Sequence, residues 1–153
     1  MSHPVGQRLL TMPGVGPYTA AVEIGEVLPV ARNVAEPKAA TYAGLTPLSR
    51  ASGKSQGRSR LARGVNKHAL RANYLSAVSS IKSSALDRAY FHKQKELHQG
   101  HPKPGVTSTL SLARQRFKVM YKIMTADAVY DKEILIASHL ERERKEKAKR
   151  RAA

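Results

Sequence analysis

The stretch Gln7–Leu28, QRLLTMPGVGPYTAAVEIGEVL, decides the fold. It reads as helix, tight turn, helix. The turn is Pro13-Gly14-Val15-Gly16-Pro17, where two prolines interrupt a helix and two glycines permit positive φ. Past it, Ala20, Ala21, Ile24 and Val27 recur at helical spacing until Pro29, the expected stop. Pro37 suits the first turn of a short helix ending near Gly44. A polar loop with Pro47, Gly53 and Gly57 follows over Thr46–Ser59. A long helix is then predicted from Arg60 to Ile81, with Leu70, Tyr74, Ala77, Val78 and Ile81 as its apolar stripe. Gly64 weakens its first turn and moves the alternative start to Val65.

Leu86, Ala89, Tyr90 and Leu97 predict a further amphipathic helix, and Gly100–Gly105 a linker. Val106, Leu110, Ala113, Phe117, Met120, Tyr121 and Met124 form the cleanest helical stripe and predict a core helix. The apolar segment Ile134–Leu140 leads into ERERKEKAKRR, Glu141–Arg151, with seven basic and three acidic residues. The expected class is mostly α: a hairpin module near 7–28, a basic loop near 46–59 and a bundle of long helices. One domain is expected over 1–131, with a charged helical tail over 132–153.

The 153 residues carry 27 Lys and Arg against 11 Asp and Glu, a formal charge of +16. Such an excess repels itself unless a polyanion binds, and nucleic acid gains further from counterion release. From Pro37 to Leu86 there is no acid, yet Lys38, Arg50, Lys54, Arg58, Arg60, Arg63, Lys67, Arg71 and Lys82 all occur. A merely solvated surface mixes signs, so this run is expected to face a polyanion. No apolar run approaches the roughly 18 residues of a membrane span. Cysteine is absent, which excludes disulfides and thiolate metal sites. A cytoplasmic protein is expected.

The segment Leu10–Ala20 resembles the helix-hairpin-helix DNA-binding motif. There, glycines let the backbone approach a phosphate, and N–H groups at the second helix's start carry partial positive charge. Gly14 and Gly16 are therefore candidate DNA contacts. A wider order of motifs follows: Tyr42-Ala43-Gly44-Leu45-Thr46-Pro47, Ser52-Gly53-Lys54, Gly57-Arg58, Arg63-Gly64-Val65-Asn66-Lys67, Leu70-Arg71, Tyr74-Leu75 and, near the end, Tyr130-Asp131. Together with the hairpin, it resembles the C-terminal transposase domain of the DEDD-type insertion-sequence transposases, recombinases guided by a bridge RNA. The resemblance runs from about Leu9 to Asp131.

That resemblance implies DNA strand exchange through a serine that becomes linked to a scissile phosphate, and its serine before glycine falls on Ser52. It also implies DNA and guide RNA as partners and a homo-oligomer in the active complex. Only Met1–Arg8 precede the hairpin segment, where the resemblance begins. The family's RNase-H-like domain, with its four acidic metal ligands, is therefore not expected in this chain. No cofactor is expected here, with Mg expected only where that domain is present. The chain is expected to be a partial transposase, inactive alone.

Read from the residues alone, Ser52 is better explained as an ordinary turn serine, and only the ordered family set makes it the better candidate nucleophile. A serine hydroxyl attacks only after a base or metal takes its proton. Arg50, Lys54, Arg58, Arg60 and Arg63 could stabilise a pentavalent phosphorane, with Lys67 and Arg71 gripping the backbone beyond. The nearest acid or histidine along the chain is Glu36 or His68. His92, His98 and His101 read as solvated histidines, and no metal site is expected. The rival reading is a non-catalytic helix-hairpin-helix module bound to ribosomal RNA, to which the small size and basic tail lend weight.

Overall fold

A computed structural model describes residues 3–46, 64–126 and 128–131. Most of the expected serine loop and all of the charged tail lie outside the described residues. The elements are α1 (Pro4–Leu10), α2 (Pro17–Val22), a π-helical turn (Glu23–Val27), α3 (Leu28–Ala31), α4 (Glu36–Tyr42), α5 (Lys67–Ser83), α6 (Ala85–Leu97) and α7 (Pro104–Thr125). The described residues hold no strand, so the mostly helical class stands.

The axis of the fold is α7, about 33 Å long at 1.5 Å per residue. It packs against α1, α3, α4, α5 and α6. Leu112, Ala113, Phe117, Met120, Ile123 and Met124 are buried along it, joined in one core by Leu9, Met12, Val27 and Leu28. The expected stripe holds from Ala113 onward but fails at its head. Val106 is exposed, while Ser108 and Thr109 are buried, each hydroxyl donating to the carbonyl four residues back. Pro104, expected in the linker, instead opens the helix, where its missing N–H costs nothing.

Pro29 does not stop its helix. A proline cannot donate to the carbonyl four residues back and crowds it. The chain answers by widening into the π turn over Glu23–Val27, and α3 then carries Pro29 in its first turn. Glu23, at the start of this turn, reaches Asn73 of α5, and Glu26 reaches Asn66, the cap of α5.

The long helix expected from Arg60 begins at Lys67. Gly64 has φ 81°, and Asn66 is extended, its side chain accepting from Ala69 N at 2.9 Å. The buried face of α5 is also rotated from the expected one. Ala69, Ala72, Asn73, Ser76, Ala77 and Ser80 are buried, while Leu70, Tyr74, Val78 and Ile81 are only half-buried. Small residues lie innermost because the Pro13–Gly16 turn and three helices crowd this helix. Gly14, at φ 76°, shows how closely: a Cβ there would lie 2.6 Å from Ser80 N and 2.7 Å from Ser76 O.

One residue, Ser84, separates α5 from α6. Its hydroxyl accepts from Asp87 N at 3.3 Å, and Arg88 donates to the carbonyls of Ile81 and Lys82 at 2.9 and 2.8 Å. In α6 the expected stripe is shallow: Leu97 is 68% exposed, and the buried residue is Asp87.

Two measurements check this packing. Phe117, fully buried, should cost about 3–5 kcal/mol of unfolding free energy as Phe117→Ala in urea titrations. Gly64→Ala, left-handed but in open space, should cost roughly the 1–2 kcal/mol of left-handed geometry. Gly14→Ala should cost clearly more than Gly64→Ala, because it adds collision with α5 to the same geometry.

Candidate nucleic-acid interface

Asn66 caps the start of α5 and ties it to α4. Its N–H donates to Tyr42 O at 2.8 Å, and its side-chain amide donates to the Tyr42 hydroxyl at 3.0 Å and to Glu26 Oε2. His68 Nδ1 lies 3.1 Å from Glu26 Oε1. Gly44, at φ 72°, turns the chain against the Leu70 side chain. The motif residues Tyr42, Gly44, Asn66 and Leu70 thus tie α4 to the start of α5. Asn66 before a helix is a readable capping signal. The part played by Glu26, 40 positions away, has no local signature.

Beneath this lies a second carboxylate–amide pair. Glu23 is fully buried, and Asn73 donates to its Oε1 at 2.6 Å. Glu23 Oε2 and Asn73 Oδ1 are both buried without a partner. Burial raises the Glu23 carboxyl to about 8, against a smaller opposing pull from Asn73. A proton on Oε2 supplies a donor where the ionised form has none, and Asn73 Oδ1 is the unpartnered acceptor of the same pair.

The third polar group is Arg116, which is 4% exposed. It donates to Asp87 Oδ2 at 2.5 Å, to Ser76 Oγ at 3.0 Å and to Pro13 O at 2.5 Å. Burial pulls its pKa down, and the Asp87 charge opposes that. Tyr130, of the Tyr-Asp pair, lies beside this group. Its phenol is pushed up by burial and then by the Asp87 charge.

The expected contact residues separate into three sets. Ser52, Arg50, Lys54, Arg58, Arg60 and Arg63 lie outside the described residues. Lys67 and Arg71 are exposed on the outer side of α5. The two glycines differ: Gly14 is required by its contact with α5, whereas nothing stands within 4 Å of a Cβ at Gly16. Gly16 has φ −100°, so positive φ, open to both by sequence, is used only at Gly14.

Among the described residues, no three of His, Asp and Glu converge as metal ligands. His98 Nδ1 bonds to Gln94 O at 2.7 Å, and His101 Nδ1 takes Lys103 N at 3.3 Å. No described helix is long and apolar enough to cross a membrane.

Residues 6–92 match the family model for transposases of the IS116/IS110/IS902 family. The chain is 33% identical over 135 residues to the insertion element IS110 uncharacterized 43.6 kDa protein of Streptomyces coelicolor, covering 85% of this chain and 31% of that protein. It is 30% identical over 129 residues to the insertion element IS900 uncharacterized 42 kDa protein of Mycobacterium paratuberculosis, covering 84% of this chain and 31% of that one. The chain thus spans about a third of the length of these curated relatives.

Glu23 sets a pH dependence. Between its unfolded value near 4.5 and its folded value near 8, the folded state holds the extra proton. Stability should therefore fall as pH rises through that window, on the order of a few kcal/mol. Glu23→Gln, neutral throughout, should lose this fall and be the more stable protein at pH 8.5. Parallel urea midpoints for parent and variant from pH 5 to 8.5 would refute the assignment.

Proposed function

The chain belongs to the IS116/IS110/IS902 transposase family, and on that premise we propose that it binds DNA and exchanges DNA strands in the transposition of an insertion sequence, with Ser52 as the nucleophile. The observation that carries the reading is the coincidence of the family match with the acid-free run. The match over residues 6–92 takes in the Pro13–Gly16 turn, the Ser52 segment and all of α5, and within it Pro37–Leu86 holds nine cations and no acid.

In this reading, Ser52 Oγ attacks the scissile phosphate. The Oγ–P bond forms, the bond from phosphorus to a sugar oxygen breaks, and the departing oxygen takes a proton from water. Arg50, Lys54 and Arg58 neutralise the charge that accumulates on the phosphorane. Arg60, Arg63, Lys67 and Arg71 hold the flanking phosphates, and the backbone at Gly14–Gly16 gives a sequence-independent contact. The proton on Oγ leaves to a base or a metal-bound hydroxide that another domain or subunit is proposed to supply, with an RNase-H-like domain and guide RNA as the expected source. The active complex is proposed to be a homo-oligomer.

Covalent trapping tests the reading. The isolated chain should form no adduct with target DNA. The complex rebuilt with an RNase-H-like domain and guide RNA should form one, lost in Ser52→Ala and kept in Ser55→Ala. Peptide mapping of that adduct to another serine, or an adduct surviving Ser52→Ala, would overturn it.

A further inference from the structure

The long helix α5 contains no acid. Its packed side is spent on Ala69, Ala72, Asn73, Ser76, Ala77 and Ser80. Besides His68 and Ser83 at its ends, it leaves outside Lys67, Arg71, Leu75, Ser79 and Lys82, all exposed. The steps are four, four, four and three residues, which keeps one stripe on one side of a helix. Fifteen steps of 1.5 Å make it about 22 Å long.

The acids placed against α5 are each engaged by donors of the fold. Glu26 is shared between the Asn66 amide and His68, Asp87 is taken by Arg116, and Glu23 is sealed against Asn73. Among the described residues no acid pairs with Lys67, Arg71 or Lys82. The stripe therefore presents three cations without an acid partner among the described residues, Lys67 and Arg71 at its start and Lys82 at its end, and the hydroxyl of Ser79 adds a donor.

We infer that this outer stripe of α5, from Lys67 through Arg71, Leu75 and Ser79 to Lys82, seats the phosphodiester backbone of a DNA duplex. The inference rests on the DNA reading above but extends the contact three turns past Arg71, to residues with no assigned role. A duplex is favoured over a single strand because the exposed stripe carries no aromatic ring on which bases could stack. The asparagines at and near the start of α5, Asn66 and Asn73, are engaged internally and are not offered to adenine edges. Leu75, 45% exposed at the centre, lies where a sugar face would cover it.

The test is the salt dependence of duplex binding by the full chain, read by fluorescence anisotropy. Each phosphate contact contributes about 0.9 to the log–log slope. Lys82→Ala should lower the slope by about one. Between 50 and 200 mM salt it should then lose roughly three- to fourfold less affinity than the parent. Lys95→Ala on α6 should leave the slope unchanged. Lys82 is exposed, so both variants should keep the parent's melting temperature.

If Arg71→Ala lowers the slope and Lys82→Ala does not, the stripe is wrong and the DNA reading survives. A flat salt response in the parent overturns both. A slope change seen only on an RNA duplex of the same sequence overturns the DNA assignment.

Discussion

Everything in this fold is arranged around a guanidinium taken out of water. Arg116 reaches from the middle of α7 to α6 through Asp87, to α5 through Ser76, and to the Pro13 carbonyl in the turn between α1 and α2. Desolvating such a group is costly, and the cost is met only because all three acceptors converge on it. Removing either charge would strand the other in an apolar core, at about 3–5 kcal/mol. The hub therefore specifies which way the helices face one another as much as it stabilises them. Leu112, Phe117 and Met120 supply the apolar mass but would tolerate other arrangements of similar volume.

The same logic explains why a very basic chain keeps buried acids. Glu23 and Asp87 are buried and Glu26 is half-buried, and each serves a donor of the fold or holds a proton. The interior is polar where helices must be placed relative to one another. The exterior of α5 is left with its charge intact. In the proposed reading, that charge meets DNA, and chemistry completed elsewhere belongs to the same proposal.

The hairpin-like start, the Pro37 helix, the two later helices and the buried placement of Phe117 were legible in the sequence because each rests on local periodicity or punctuation. Three features were not. Periodicity assigned Leu70, Tyr74 and Val78 to the packed side of α5, but the close approach of Gly14 favours Ala and Ser there. Pro29 reads as a stop, because a π turn leaves no mark in composition. The Glu26–Asn66–Tyr42 clasp joins residues far apart in the chain, and only the fold brings them together. Lys67 and Arg71 were legible as exposed cations, whereas Ser52 rests on resemblance and lies outside the described residues.

The corner at Ser84 bears on how such a chain can change over generations. Only this residue separates α5 from α6, and it caps both: its own N–H donates to Ser80 O at 2.8 Å and its hydroxyl accepts from Asp87 N at 3.3 Å. Inserting or deleting one residue between Ser76 and Asp87 would turn α6 by about 100° about its axis relative to α5. Asp87 would swing away from Arg116, and the hub would be lost along with the corner. Length variation among descendants should therefore be barred from this stretch and collect instead between α6 and α7, where residues 98–103 span a turn that holds no such register.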